Sequence, residues 1–406
     1  MEEIAKLTNE CLSCLNPRCK SGCPCSNSIN LIISALKNGD EDSASSILFE
    51  TNPLPEYTSF LCDSDKQCQG HCIKGIRGNA VSIQQIERYI ASKHSYQIKP
   101  GKPNGKKVAI IGAGIASISA AIRLIEAGFA VDIYEKSNKI GGAILTGIPD
   151  FRFDKSKLDN THSSLEKAGA KFHFGIEVGK DIDFDDIHSS YDKVIVAIGA
   201  QKENLGGFET KVGYIGGLTL LNDINILSKA NEYKNKYHKA LVWGGGNVAL
   251  DCARSLKRIM GDVTIVYRRG RNEMPASDKE IESALNEGVK FSLLTNIKDV
   301  LYDDSGKVIG AKLIKMELGE KDESGRASFK EIDGSSYDED CDLIIAAIGQ
   351  KVDFNLIKQG LEKLDNHLSS IPNVYIAGDA YLGPKTVAAC IRDGIEVAKE
   401  IIKETN

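Results

Sequence analysis

The segment VAIIGAGIASISAAIRLIEAGFAVDIYE, residues 108–135, reads as an apolar strand (VAIIGAG, 108–114), a helix over Ala116–Ala127 and a second strand (AVDIYE, 130–135). An apolar strand that ends in glycines and runs into a helix is the opening unit of a parallel α/β sheet. Gly112 permits the tight strand-to-helix turn, and Gly114 lets the backbone approach a pyrophosphate. Ser117 stands where a third small residue keeps helix and strand close. The helix N-terminus offers N–H groups and a positive dipole end to an anion. Glu135 lies 21 residues beyond Gly114 at the end of the next strand, where a carboxylate can accept the ribose hydroxyls of an adenosine. The plain alternative is a glycine-rich turn that binds nothing.

The plan returns about 130 residues later. ALVWGGG (240–246) is a strand, Val248–Met260 a helix and DVTIVYRR (262–269) the next strand. GGGNVA (244–249) supplies Gly244 and Gly246, Asn247 and Val248 open the helix, and Ala249 is the small packing residue. No acidic residue ends the following strand. Arg268 and Arg269 stand there instead, and guanidinium groups grip a 2′-phosphate in bidentate fashion, which favours NADPH over NADH. A solvated strand end is the alternative for both arginines.

DKVIVAIGA (192–200) and CDLIIAAIGQ (341–350) echo one another, and Gly199 and Gly349 at their ends are cofactor-binding candidates. Near the C-terminus NVYIAGDA (373–380) is a strand ending in Gly378-Asp379, followed by PKTVAACIRDG and a final helix headed by Thr386 and Val387. A Gly-Asp there can hold a ribityl hydroxyl and a flavin pyrophosphate. FAD needs such a distant second anchor and NAD does not; an N-cap aspartate is the alternative for Asp379. Two nucleotide-binding domains follow, the second inserted into the first, with a return to the first near residue 340.

At 406 residues the chain predicts about two to three domains. The net charge of -5 argues against nucleic acid or an anionic membrane as partner. No uninterrupted apolar run spans a bilayer, and the N-terminus lacks signal-peptide character. A cytoplasmic location is expected.

Eight of the eleven cysteines lie before residue 73. In a reducing compartment such a cluster is a metal-binding framework, not a disulfide one. The spacing is Cys11-x2-Cys14-x4-Cys19-x3-Cys23-Pro24, then Cys62-x5-Cys68-x3-Cys72. Cys-Pro closing a run of four cysteines is a cubane-cluster habit, and distant cysteines completing each cluster are usual in two-cluster ferredoxins. Two 4Fe–4S clusters are expected, with zinc or degenerate sites as alternatives. Cys25 has no place in the spacing. Cys252, Cys341 and Cys390 read as core, and without a C-x-x-C in the nicotinamide domain a dithiol active site is not expected.

CLSCLNPRCKSGCP (11–24), NPLPEYTSFLCDSDKQCQGHC (52–72), GGAILTGIPDFRFDK (141–155) and VYRRGRNEMPA (266–276) closely resemble the small, NADPH-oxidising subunit of bacterial glutamate synthase. The same module is similar to the N-terminal part of dihydropyrimidine dehydrogenase and to the large subunit of NADH-dependent ferredoxin:NADP oxidoreductases. The resemblance covers nearly the whole chain. It implies an α/β fold with two Rossmann-like domains of glutathione-reductase type, for FAD and NAD(P), behind an α-helical iron–sulfur domain. The boundaries implied are 1–100 for the cluster domain, 101–210 and 339–406 for the FAD domain and 211–338 for the inserted NAD(P) domain. It gives one cluster to Cys11, Cys14, Cys19 and Cys72, and the other to Cys23, Cys62, Cys68 and Glu87 in VSIQQIERYI (81–90). Gly141, Gly142 and Arg152 match the flavin-contacting segment. Asp63 stands where the family usually has proline, and Ser117 replaces the usual glycine.

The implied reaction is hydride transfer from NADPH to FAD, then single electrons through the clusters. The cofactors carry that chemistry, and no acid–base catalytic residue stands out. The implied partner is a larger catalytic subunit, that of glutamate synthase first and that of dihydropyrimidine dehydrogenase second. A stand-alone ferredoxin:NADP oxidoreductase, with ferredoxin as partner, is the alternative.

Overall fold

The computed structural model describes residues 2–321, 327–355, 357 and 360–405. They form two compact units, one of residues 1–144, 151–200 and 352–406, the other of 145–150 and 201–351.

The first unit opens with six helices: α1 (Glu2–Asn9), α2 (Arg18–Ser21), α3 (Ile29–Lys37), α4 (Glu41–Thr51), α5 (Pro55–Leu61) and α6 (Ile83–Lys93). Two of the starts have a local cause. The Asp40 carboxylate accepts from Ser43 N at 2.9 Å and caps α4. Pro55 sits in the first turn of α5, where its missing N–H costs nothing. Ile83, Ile86 and Ile90 recur at helical spacing on α6 and bury in one core cluster with Ile29, Ile32 and Ile33 of α3. The remaining cysteine-bearing chain is loop wound on this apolar base.

A five-stranded parallel sheet follows, built from β1 (Lys107–Ile111), α7 (Ile115–Glu126), β2 (Ala130–Glu135), α8 (Ala143–Thr146), α9 (Ser156–Lys167), β3 (Lys171–Phe174), α10 (Phe184–Ser190) and β4 (Lys193–Val196). Its edge strand arrives from the far end of the chain, so that β16 (Val374–Ile376) lies beside β4 in the order β16-β4-β1-β2-β3. Val108 to Ile111 of β1 are all buried, as the centre of a sheet covered on both faces requires. After β16 come α15 (Asp379–Leu382) and α16 (Val387–Thr405). The latter lies so close to α7 that a Cβ on Gly394 would fall 2.1 Å from Ala116 O. Small residues at Ala116 and Ser119 make this contact possible, and Ser119 Oγ donates to Ile391 O at 3.0 Å.

The polar stretch 96–107 reads as a free linker, but the structure bonds it down. Gly101 N donates to Ile125 O at 3.0 Å, and Arg123 donates to Tyr96 Oη at 2.6 Å. Tyr57 Oη meets Thr161 Oγ1 of α9 at 2.7 Å, and its ring stacks on Phe153 at 5.3 Å. The helical head and the first sheet therefore pack together in one compact unit.

The second unit repeats the plan with β5 (Lys202–Glu203), β6 (Tyr214–Gly216), α11 (Gly217–Asn225), α12 (Ala230–Lys236), β7 (Lys239–Trp243), α13 (Asn247–Ile259), β8 (Asp262–Tyr267), α14 (Asp278–Asn286) and β9 (Lys290–Leu293). An antiparallel excursion of β10 (Thr295–Tyr302), β11 (Val308–Lys321), β12 (Ala327–Glu331) and β13 (Tyr337–Asp340) precedes β14 (Leu343–Ala346) and β15 (Gln350–Lys351). The parallel order is β6-β14-β7-β8-β9. β14 thus pairs with β7 as β4 pairs with β1. The expected boundaries at 210 and 339 shift accordingly. The second unit runs from Gln201 to Lys351, because CDLIIAAIGQ completes the second sheet and does not return to the first.

Candidate cofactor sites

The two Ala-Ile-Gly echoes have one physical cause. A Cβ on Gly112, whose φ is +97°, would lie 2.6 Å from the Ala197 carbonyl oxygen that follows β4. A Cβ on Gly244, at φ +146°, would lie 2.2 Å from the Ala347 oxygen that follows β14. In each sheet the first motif glycine is pressed against the neighbouring strand's exit, where any side chain would collide. Gly199 and Gly349 each follow two residues later.

Around the first loop, Gly114 ends the turn as the N-cap of α7 with open space where a Cβ would stand. That is room for a phosphate at a helix N-terminus. Gly141 N donates to Ala113 O at 2.8 Å, and Gly142 lies against the Gly114 backbone. Glu135 is buried and holds the loop: Oε2 accepts from Ala113 N at 2.7 Å, and Oε1 from Ser137 N at 2.9 Å. Ser117 is fully buried, and its hydroxyl has no partner among the described residues. Arg152 is partly exposed and precedes the buried Phe153.

The C-terminal anchor is Gly378, at φ +66°, with a Cβ position 2.8 Å from Ala116 Cβ. Its N–H donates to Asp393 Oδ2 at 2.6 Å. Asp393 was not among the sequence candidates. Its signal was a lone acid inside an apolar helix face, indistinguishable in sequence from a solvated charge. Burial pushes its carboxyl up to about 7. Asp379 is the first residue of α15, not its N-cap. Its Oδ1 accepts from Lys385 N at 2.9 Å and from the Cys390 thiol at 3.1 Å, and Oδ2 takes no bond among the described residues. Thr386 and Val387 head α16.

In the second unit Gly246 is the N-cap of α13, and Asn247 Oδ1 accepts from Ser277 N at 3.4 Å. Val248 packs on the core beside the fully buried Ala249. The strand ends at Tyr267, where its ladder to Leu293 stops, so both arginines lie just past it. They part company there. Arg269 is buried and its Nε donates to Ala327 O at 2.7 Å. Arg268 is exposed, with its guanidinium carbon 4.2 Å from the centre of the Phe329 ring. Only Arg268 presents its charge to solvent.

Two pockets carry the cysteines. One is lined by Cys11, Cys14, Cys19 and Cys72. The other is lined by Cys23, Cys62, Cys68, Glu87 and also Cys25. The folding of α6 back over the loops brings Glu87 to the second set. Its Oε1 accepts from Asn52 Nδ2 at 2.9 Å and from the Thr58 hydroxyl, while Oε2 takes no bond among the described residues. Burial pushes Glu87 up to about 8, Cys19 up to about 11 and Cys62 well above the usual thiol range. A hydrogen bond from Cys25 holds Cys23 down at about 7. Buried thiols of this kind ionise when a cation faces them. No three His, Cys, Asp or Glu side chains among the described residues converge on a point suited to one metal ion. The donors stand around a space, which fits a multi-iron cubane. Gln67 and Ala388 also line the second pocket, and Gln67 Nε2 donates to Thr386 Oγ1 at 3.2 Å.

Comparison with known proteins accords with this geometry. The family model described as "Pyridine nucleotide-disulphide oxidoreductase" matches residues 106–394, and "Dihydropyrimidine dehydrogenase domain II, 4Fe-4S cluster" matches 1–98. The glutamate synthase [NADPH] small chain of Escherichia coli K12 is 31% identical, over 97% of this chain and 90% of its own length. The NADP(+)-dependent formate dehydrogenase subunit beta of Moorella thermoacetica is 30% identical, over 94% of this chain but 59% of its own length. Mycobacterium tuberculosis FprA in complex with NADPH shares the fold, with a TM-score of 0.64 and 20% identity over 74% of this chain and 84% of that one. No helix of the described residues is long and apolar enough to cross a membrane. The three cysteines between 106 and 394 are buried thiols. The chain belongs to the pyridine nucleotide-disulphide oxidoreductase family, as an NAD(P)H-dependent flavoprotein oxidoreductase that carries an N-terminal 4Fe–4S domain and is homologous over nearly its whole length to glutamate synthase small chains.

Proposed function

We propose that this chain is the electron-input subunit of a larger reductive enzyme, oxidising NADPH and delivering electrons to a partner subunit, with the glutamate synthase large subunit as the leading partner. Residues 1–100 serve as a two-cluster domain, 101–200 with 352–406 as the FAD domain, and 201–351 as the NADP(H) domain. When bound, FAD accepts hydride and 4Fe–4S clusters carry single electrons. The protein's work is placement. The backbone at Gly112, Gly114, Gly141 and Gly142 and the α7 N-terminus hold the FAD pyrophosphate. Glu135 holds the adenosine ribose, and Asp379 Oδ2 with the head of α16 holds the ribityl side. Gly244, Gly246, Asn247 and Val248 seat the NADPH pyrophosphate, and Arg268 binds its 2′-phosphate. Cys11, Cys14, Cys19 and Cys72 ligate one cluster; Cys23, Cys62, Cys68 and Glu87 Oε2 ligate the other.

The observation that carries this reading is that the second pocket shares Ala388 with the first turn of α16, the helix given to FAD. No residue of α16 lines the first pocket. Protein purified without oxygen is expected to hold one FAD and about eight irons per chain, and to bleach on adding NADPH. A colourless protein, or one that does not bleach, refutes the function. The partner is tested by co-purification and by NADPH-driven glutamate formation from glutamine and 2-oxoglutarate.

A further inference from the structure

Two buried side chains, one turn apart on α16, hold the Gly378-Asp379 turn. Asp393 accepts from Gly378 N at 2.6 Å, and Cys390 donates its S–H to Asp379 Oδ1 at 3.1 Å. Consecutive residues of the turn are thus each fixed by the same helix. Both holders are out of solvent, Cys390 at 7% exposure and Asp393 at 5%. Lys385 N donates to the same Asp379 Oδ1 at 2.9 Å. One oxygen of the carboxylate therefore receives two donors, while Oδ2 takes none among the described residues. In the sequence Cys390 reads as a small residue of the core; its hydrogen bond gives it a second task.

We propose that Cys390 is a positioning residue of the flavin site, whose S–H fixes the Asp379 carboxylate and so keeps its second oxygen ready to accept a hydroxyl of the FAD ribityl chain. This rests on the reading above that Asp379 holds the ribityl side. The terminal torsion of an aspartate is broad and roughly two-fold, so an unrestrained carboxylate swings and exchanges its oxygens. A single donor, the Lys385 N–H, leaves the carboxylate plane free to rotate about that bond. A second donor on the same oxygen, brought by a different element, removes that freedom. Lys385 lies in the connection between α15 and α16, and Cys390 lies within α16. A thiol is a weak donor, but its acceptor here is a carboxylate, and a hydrogen bond to an ionised group is about twice as strong as a neutral one. Burial and the neighbouring Asp379 charge push the Cys390 thiol well above its usual range, so the proton stays on sulfur and is there to be donated. A carboxylate already held in place needs less ordering when a ligand hydroxyl arrives, which is how preorganisation adds affinity. Cys390 thus acts through Asp379.

The test uses the full chain, purified without oxygen and stripped of flavin, as the parent and as Cys390→Ala, Cys390→Val, Cys390→Ser, Asp379→Ala and the double variant of Cys390→Ala with Asp379→Ala. FAD is titrated in, and the quenching of its fluorescence gives Kd. Cys390→Ala and Cys390→Val are expected to weaken FAD binding roughly three- to tenfold, the worth of one modest hydrogen bond, and Cys390→Ser to stay within about twofold of the parent. The double variant should bind no more weakly than Asp379→Ala, because the lost bond has only one acceptor to act through. Valine fills the space without a donor, and serine returns a donor with less volume, so a packing effect and a hydrogen-bond effect give opposite orders. A parent-like Kd in Cys390→Ala, rescue by valine and not by serine, or an undiminished loss from Cys390→Ala in the Asp379→Ala background overturns the proposal. Failure of the anchor reading is distinguishable: Asp379→Ala then binds FAD like the parent, and the proposal falls with it.

Discussion

Arg268→Gln is the sharpest probe of nucleotide choice. The substitution removes one exposed positive charge and leaves the buried Arg269 with its bond to Ala327 O. Phe329 holds the Arg268 guanidinium over its face at 4.2 Å, so little side-chain freedom is lost when a phosphate binds. A hydrogen bond to a charged group contributes about 1.5–3 kcal/mol. Arg268 is exposed and screened, so the lower part of that range applies, about 1.5 kcal/mol. That corresponds to roughly a tenfold loss of kcat/KM for NADPH. NADH has no 2′-phosphate and should change by less than about twofold. The assay is steady-state reduction of an artificial one-electron acceptor by each nucleotide at low salt, with the ratio of the two kcat/KM values as readout. Adding salt should shrink the parent's preference. Equal losses for NADPH and NADH would refute the 2′-phosphate role. Arg269→Gln is expected to differ, lowering thermal stability, because it removes a buried guanidinium and its bond to the Ala327 carbonyl.

Three further outcomes follow from the geometry. Gly112→Ala places a methyl 2.6 Å from Ala197 O in a left-handed backbone; a cost of about 2 kcal/mol or more and purification without FAD are expected, checked by flavin absorbance and thermal melting. Glu87→Ala should remove about half of the iron and one paramagnetic signal while leaving FAD in place, as metal analysis would reveal. Asp393 is protonated in the folded chain up to about pH 7 but only to about 3.9 when unfolded. Between those values the folded state binds the extra proton, so this group's contribution falls as pH rises, by on the order of 4 kcal/mol across the window. Asp393→Asn keeps an acceptor for Gly378 N and abolishes that part of the slope, measured by chemical denaturation at pH 5 and pH 8; a variant with the parent's slope would contradict the assignment.

The paired glycine motifs, the strand echoes and the eight early cysteines determined the architecture by themselves, because strand period, helix period and ligand spacing are local properties of a chain. The position of Glu135 was equally legible, since the distance from loop to strand end is fixed by one helix and one strand. Three things were decided only by tertiary contact. CDLIIAAIGQ reads as a strand either way, and only its pairing with β7 assigns it to the second sheet. Arg268 and Arg269 are adjacent and chemically identical in sequence, and both guanidinium groups lie over Phe329, yet Arg269 is buried with a bond to Ala327 O while Arg268 is exposed. Cys25, Ala388 and Asp393 acquire meaning because α16 crosses α7 closely enough to bring the end of the chain onto its beginning. Such long-range approaches depend on which surfaces exclude water together, and no local pattern encodes that.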